Sequence, residues 1–577
     1  MRSVHVLATL LSFSGTALLS TSASSASVLT VDLSATIGPA THVASGSLYG
    51  MTERLPADLN ALLMPLSPKM FTNPAANVQQ PVGDAIVVAG RLAPIGARVT
   101  IRLADWFPRW PYAFSNMNDW LDKVGQTVSR KKASGLDNVY GYEIWNEPNG
   151  TWTNSMPFND FWKQTYARLR ELDPAAKIIG PSIAWYDANY LRNFLTFAKN
   201  NGCVPDIVAW HELSGGNFTA NFQNYRSLEK QLGIGPLPIS INEYSGKDTI
   251  NDEGQPGASA PLIAKFERFQ VDTACITYWD VPRPGRLGSL LATNTERNGG
   301  WWFYKWYGEM TGNMVSTTPP SPNDAAALDG FANLDASGAK ASVIVGGVND
   351  GTIQVVVKGF RAAPFFGTKV RAVVEHTPFV NRSTVVNSTN TLSTAEFTVL
   401  NDEITVSISN ANGNDGYRLS LSPVGSPGTG GTSGSGGAAG SGGFTGNGGA
   451  NGSSGTSGSG GASGSDGASG SSGASGSSGV GGAGASAGSG GGASSSGAVG
   501  SGGSLGSGVG GAAAARNGVT GGSRGNSAAE EDGCTCAAPG ETTHGAAWAT
   551  LALAGFGLSL RLRRSSRSAR TSRRRSF

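Results

Sequence analysis

Cysteine is scarce, with four in 577 residues. Cys534 and Cys536 sit together near the C-terminus, which leaves Cys203 and Cys275 for the rest of the chain. Two thiols do not make a disulfide scaffold, and no Cys/His spacing fits zinc, so no metal site is predicted. Both lie at or within apolar runs ("CVPDIVAW", "ACITYW"), which predicts buried free thiols. A net positive charge is also missing from the body. The net charge is +3, yet residues 561–577 hold eight arginines, so the remainder carries −5. A mildly acidic body argues against a nucleic-acid partner. No glycine-rich phosphate loop follows the first apolar run, "LYGMTERLP", which argues against a dinucleotide-binding sheet. No cofactor is predicted.

Glycine is abundant, 83 residues, but crowded into one place. Residues 426–530 are nearly all Gly, Ser and Ala, too poor in apolar groups to offset the entropy of ordering. As a random coil of about a hundred residues this tether would reach roughly 55 Å. Asp466 stands almost alone there, so a calcium-binding repeat, which needs regular aspartates, is not expected. Residues 1–26 combine Arg2, an apolar core and a small-residue exit at Ser24-Ser25-Ala26, the pattern of a secretory signal peptide. At the other end, residues 531–577 place an uncharged run, Ala546 to Leu560, between Cys534/Cys536 and the arginines. The run is short for a full span, which takes about 20 residues, and the cations behind it fit a cytoplasmic-side stop. The layout resembles the myxobacterial C-terminal sorting signal. The resemblance implies processing by sorting machinery and display at the cell surface, with membrane contact only through this segment.

Between Ser45 and Pro282 short apolar runs alternate with longer amphipathic stretches. The runs are "SGSLYGM", "SPKMFT", "RVTIRLADW", "VYGYEIWNE", "AKIIGPSIAW", "DIVAWHEL", "LPISINEYS" and "ACITYWDV". Between them lie helical patterns such as "MNDWLDKVGQTVSRKKASG", with Gly135 as its C-cap. Eight strand–helix repeats predict a (β/α)₈ barrel over residues 27–316. From residue 317 to 425 the pattern changes to short alternating strands with Gly, Asn and Ser turns, which predicts an antiparallel β-sandwich. "VLTVDLS" near the N-terminus is a further strand candidate. The sandwich segment lacks tryptophan, so packing against the barrel is favoured over binding sugar.

A barrel carries its chemistry at the C-terminal ends of its strands. The residues there are Asp105-Trp106, Asn146-Glu147, His211-Glu212, Asn242-Glu243 and Trp279-Asp280. Two ends, the fourth and seventh, carry Asn-Glu. Paired carboxylates can protonate a leaving oxygen and stabilise an oxocarbenium-like centre, the needs of glycosidic cleavage. "EIWNEP" with "INEYS" resembles glycoside hydrolase clan A, the four-seven barrel glycosidases, and the layout is most similar to family 39. The resemblance covers roughly residues 40–310.

It implies a retaining hydrolase of β-linked sugars, with Glu147 as acid/base and Glu243 as nucleophile. It further implies Asn146 on the sugar 2-hydroxyl and Trp279 beneath the reacting ring. Two departures stand out. Clan members often carry an arginine near the end of strand two, where this chain has "MFTNPA", and a tyrosine two residues after the position of His211, where it has Leu213. Tyr244 or Tyr278 is a candidate replacement for that tyrosine. His211, Asp105, Trp106 and Tyr244 join the candidate substrate-binding set, while Glu143 reads as a structural acid paired with Arg102 or Lys69. The rival to an enzyme is a non-catalytic carbohydrate-binding or adhesive surface protein on the same fold.

Overall fold

The computed structural model describes residues 26–76, 83–107, 110–277, 283–347 and 351–425. The predicted signal peptide, Gly/Ser tether and C-terminal anchor lie outside the described residues. No helix among the described residues is long and apolar enough to cross a membrane.

A parallel sheet runs in the order β2 (Met70–Pro74), β3 (Arg98–Arg102), β4 (Val139–Glu143), β5 (Lys177–Ile183), β6 (Ile207–Glu212), β7 (Ile239–Tyr244) and β8 (Thr273–Ile276). The predicted first stave, "SGSLYGM", is too irregular to count as a strand, yet it closes the ring. Ser47 bridges to Ile276 of β8 and Leu48 to Thr72 of β2, both in parallel. The described residues thus form a (β/α)₈ barrel.

Between strands lie helices α1 (Leu59–Leu62), α2 (Ala85–Leu92), α3 (Met117–Ser134), α4 (Pro148–Thr151), α5 (Phe158–Leu172), α6 (Ala188–Asn200), α7 (Phe218–Leu232) and α8 (Pro256–Arg268), the longer of which cover the outside. Their ends follow local chemistry. The Asn116 side chain caps α3, whose last turn closes on Gly135 at φ 65°, and Asn217 caps α7. Trp120 and Trp162, at helical spacing on α3 and α5, are fully buried, so they are core. Cys203 and Cys275 are buried and free, as their apolar runs predicted.

The second domain is one nine-stranded sheet. Its strands are β1 (Ser27–Pro39), β9 (Asn313–Thr318), β10 (Asp329–Asp335), β11 (Lys340–Gly346), β12 (Gly351–Lys358), β13 (Lys369–Thr377), β14 (Asn390–Thr398), β15 (Glu403–Ala411) and β16 (Gly416–Pro423). Val355 and Val406 from one end share a core with Val343, Val374 and Leu419 from the other, so the sheet wraps on itself like a sandwich. The strand candidate "VLTVDLS" joins this sheet as β1, because its alternating Leu29, Val31 and Leu33 fill this core, so the barrel begins after it and not at residue 27. The pairing of β1 with β12 is parallel, so the sheet is mixed rather than wholly antiparallel.

Helix α8 joins the two domains. Asp329 on β10 meets Lys265 at 3.1 Å and Arg268 at 2.7 Å, with both Asp329 and Lys265 buried. Gly257 lies so close to Gly413 that a Cβ would fall 1.9 Å from its carbonyl oxygen.

Candidate active site

Glu147 lies past the end of β4. The strand stops at Glu143, Ile144 and Trp145 are buried, and Glu147 adopts φ 56°, ψ 49° before the single turn Pro148–Thr151. A left-handed non-glycine residue costs about 1–2 kcal/mol. Surrounding bonds hold it: Glu147 N–H donates to Ser182 O (2.8 Å), Thr151 Oγ1 donates to Asn146 O (2.8 Å), and Trp145 Nε1 donates to Thr151 Oγ1 (3.0 Å). Strain maintained in this way is common where a side chain must be aimed.

Glu243 lies inside β7, and its aim has a different cause. From Ser240 to Glu243 is three residues on β7, opposed by only two steps, Ala209 to His211, on β6. The β8 side shows the same surplus, Ile241 to Tyr244 against Ala274 to Ile276. A bulge in β7 therefore breaks the in–out alternation, which lets neighbouring Asn242 and Glu243 both face the barrel interior. Asn242 Nδ2 donates to Glu143 Oε1 at 2.7 Å, and Glu243 Oε1 accepts from Arg102 Nη1 at 2.9 Å. Tyr244 is turned outward by the same bulge. Its hydroxyl donates to Ala44 O (2.9 Å) and meets the Tyr304 hydroxyl (2.6 Å), so it is not a cleft residue.

Two buried groups link the carboxylates. His211, opposite Glu243 in register, places Nδ1 3.1 Å from Glu147 Oε1 and Nε2 3.6 Å from Glu243 Oε1. Arg102, at the end of β3, reaches Glu143 through Nε at 3.1 Å as well as Glu243. Arg102 Nη1 also donates to the Tyr49 hydroxyl (3.1 Å), which in turn donates to Asp105 Oδ2 (2.6 Å). One side-chain atom each from Glu147, His211 and Glu243 lies within 4.8 Å of the others. Such a trio could in principle hold a metal. Here the guanidinium already supplies the positive charge that a cation would bring to Glu243.

The site shares its protons unevenly. Burial opposes charge on His211, but Glu243 and the hydrogen bond to Glu147 outweigh it and raise its pKa. Burial pushes Glu147 up, while His211, Arg102 and the Trp110 indole bring it below its ordinary value. Burial dominates at Glu243 and leaves it raised, although His211 and Arg102 pull downward. Asp105 is pushed up to about 7 by burial against the pull of Arg102 and Tyr49. The empty site thus favours an imidazolium beside a charged Glu147.

The remaining predicted residues divide. Asn146 is buried, and its Oδ1 lacks a hydrogen-bond partner, a free acceptor beside Glu147. Asp105 belongs to the shell behind Arg102. Trp106 donates through Nε1 to Thr127 on α3 (2.7 Å), which fixes the indole against that helix. Trp279 and Tyr278 lie outside the described residues. Glu143 is structural, and of its two expected partners it is paired with Arg102.

Three contributors were missed: Tyr49, Arg102 as a partner of Glu243, and Trp110, whose Nε1 donates to Glu147 Oε2 at 3.0 Å. Arg102 was the most findable. It is a cation at the end of an apolar run, and it supplies from β3 the arginine that "MFTNPA" lacks.

Two glutamates joined by a histidine at the mouth of a (β/α)₈ barrel define a site suited to glycosidic chemistry. No family model matches the chain. It is 47% identical to N2152 from Neocallimastix frontalis, covering 69% of this chain and 100% of that one with a TM-score of 0.67, and it belongs to that protein's family. Among curated proteins it is 27% identical over 471 residues to a 3-O-alpha-D-galactosyl-alpha-L-arabinofuranosidase of Bifidobacterium longum subsp. longum, covering 68% of this chain and 40% of that relative. A 3-O-beta-L-arabinopyranosyl-alpha-L-arabinofuranosidase of Bifidobacterium pseudocatenulatum is 27% identical over 392 residues, 57% of this chain and 39% of the relative. The chain spans about two fifths of these relatives, which are glycoside hydrolases. A GH39 enzyme of Xanthomonas axonopodis pv. citri, 17% identical with a TM-score of 0.50 over 69% of this chain and 97% of its own, shares the fold.

Proposed function

We propose that the protein is a retaining glycoside hydrolase, with Glu147 as acid/base and Glu243 as nucleophile. The observation that carries this reading is the approach of the two carboxylates, whose nearer oxygens lie within 4.8 Å. Retaining enzymes place the pair about 5–5.5 Å apart, whereas inverting enzymes leave about 6.5–9.5 Å for a water. Burial leaves the pKa of Glu243 raised, and the permanent charge of Arg102, 2.9 Å away, is what favours the ionised form needed for attack. Glu147 must be protonated when the leaving oxygen departs, and His211 Nδ1, 3.1 Å away, is the group placed to supply that proton. In the second step Glu147 takes a proton from water, which opens the glycosyl–Glu243 ester with a second inversion.

Family resemblance alone points to β-linked sugars. Both curated relatives are named for α-L-arabinofuranosyl linkages, so an arabinofuranosyl unit on an extracellular polysaccharide is the substrate we favour. Extracellular action, with surface display, is our reading of the N-terminal leader pattern and the C-terminal Cys–apolar–Arg layout. The test is a panel of p-nitrophenyl α-L-arabinofuranoside, β-D-xyloside, β-D-glucoside and β-D-galactoside, with product configuration followed by proton NMR. Release of a first-formed product of the substrate's own anomeric configuration is expected. Inverted product would overturn the retaining assignment, and no turnover on any member or on arabinosylated polysaccharides would favour the non-catalytic binding protein.

A further inference from the structure

Trp110 and Trp185 are 51% and 56% exposed, and no other tryptophan among the described residues is comparably open. Neither sits on a loose loop. Beside Trp110, Tyr112 packs edge-on against buried Trp145 at 5.1 Å, and Phe114 meets the same ring at 6.2 Å. Beside Trp185, Tyr186 packs edge-on against Trp210 at 5.3 Å and donates to Asn224 Oδ1 at 2.7 Å. Ala184 N–H donates to Asn149 Oδ1 at 2.9 Å, which ties that loop to the turn carrying Glu147. Each loop therefore packs a partly buried aromatic against the core as an anchor and leaves its indole in water, forgoing the gain of burial.

Trp110 touches Glu147 through its hydrogen bond, and Trp185 follows Ala184, whose N–H is tied to Asn149 two residues after Glu147. A general acid stands beside the leaving group, so whatever lies on the Glu147 side of the cleft meets the departing half of the substrate. Flat indoles with open faces suit the C–H faces of sugar rings. We infer that Trp110 and Trp185 form a leaving-group subsite that binds a carbohydrate chain rather than a small alcohol. The inference rests on the assignment of Glu147 as acid/base. Because the covalent intermediate is attacked from the same side, this subsite would also bind acceptor sugars.

Trp185 is the residue to change, since Trp110 also touches Glu147. Oligosaccharides of three to six units from arabinoxylan and arabinogalactan are compared with p-nitrophenyl α-L-arabinofuranoside on wild-type and Trp185→Ala enzyme. The ratio of kcat/KM for the oligosaccharides to that for the aryl glycoside should fall about tenfold, a loss typical of one stacking contact. Transfer to added oligosaccharide acceptor should fall with it. A ratio within twofold of wild type would overturn the inference.

A second arm does not depend on turnover. The same oligosaccharides are titrated calorimetrically into Glu243→Gln protein with and without Trp185→Ala. A Kd about tenfold weaker in the double variant supports the subsite even if the panel shows no hydrolysis. Equal Kd values sink it even if the enzyme is active. Trp185 is exposed, so its removal leaves the core packing intact, and an unchanged melting temperature checks this directly.

Discussion

Asn146-Glu147 and Asn242-Glu243 are the same dipeptide at two ends of one barrel, yet little else about them agrees. The first lies beyond its strand in a left-handed turn; the second lies inside β7, aimed by a bulge. Both asparagines keep a buried Oδ1 with no hydrogen-bond partner among the described residues, but Asn242 is also tied through its Nδ2 to Glu143. Glu147 is held by His211 and an exposed indole, Glu243 by His211 and a buried guanidinium. Equal sequence thus yields a carboxylate paired with a titratable group and one paired with a permanent charge. A group that must gain and lose a proton suits the first setting, and a group that must remain an anion until it attacks suits the second.

Removing each glutamate in turn should break that comparison most sharply. Glu243→Ala should lose at least about 10⁴-fold in kcat on every substrate, because no glycosyl-enzyme forms. Azide could then enter the vacated space and give an inverted glycosyl azide. Glu147→Ala should lose about 10²–10⁴-fold on sugar leaving groups, the usual worth of a general acid, and far less in the first step on activated aryl glycosides. Azide should rescue its slow second step with retention. The opposite stereochemistry, read by NMR of the azide products, would exchange the two roles.

The next largest effect concerns the buried charge beneath Glu243. Arg102 is 1% exposed and faces both Glu143 and Glu243, so Arg102→Met leaves two buried carboxylates without their cation. Breaking a buried pair in this way costs about 3–5 kcal/mol, measurable by denaturant unfolding. Adding Glu143→Gln should recover part of the loss. Because Arg102 lowers the pKa of Glu243, its removal should also move the acidic limb of any remaining activity to higher pH. A stability equal to wild type would show that the pair is not what holds the floor of the site.

Much of this contrast was legible in the sequence, for identifiable reasons. The eight-fold alternation survives because each strand and each amphipathic helix writes its own period. The Asn-Glu ends survive because polar groups stand out against apolar runs. Less legible was anything set by pairing between distant strands. The β7 bulge leaves no mark in "LPISINEYS", so Tyr244 was placed in the cleft when it faces α8. Trp106 and Trp110 stand four residues apart at one strand end, and only their partners, Thr127 and Glu147, separate core from cleft. The first stave pairs through two bridges alone, and β1 joins a domain whose other strands begin after residue 312.

His211 touches both glutamates, so changing it should blur the comparison by a smaller amount. Its pKa is raised in the folded protein, so its stabilisation is fully present below the ordinary value of about 6.5 and is lost as pH climbs through the raised value. Glu147 is lowered, so its share persists until pH falls through its depressed value. Wild type and His211→Asn should therefore differ most in melting temperature between about pH 5 and 6.5, and the gap should narrow at higher pH. A gap that widens with pH would mean that the histidine is neutral in the folded site.

The smallest effect separates the indole from the imidazole as partners of Glu147. Trp110→Phe keeps a flat ring on the loop and removes the N–H that reaches Glu147 Oε2. That bond favours the charged carboxylate, so losing it should raise the pKa of Glu147. Glu147 draws its proton from His211, so the acid is lost when the pair gives up that shared proton, and activity falls as pH rises through the pair's pKa. A higher pKa therefore moves the basic limb of the kcat/KM profile toward higher pH. The acidic limb, set by ionisation of Glu243, should move little and toward lower pH, because Trp110 bonds Glu147 and a less charged Glu147 raises Glu243 less. The loss at the optimum should be only a few-fold, since His211 still holds Oε1. If both limbs move together, Trp110 acts on the whole cluster, and the two dipeptides are less independent than their partners suggest.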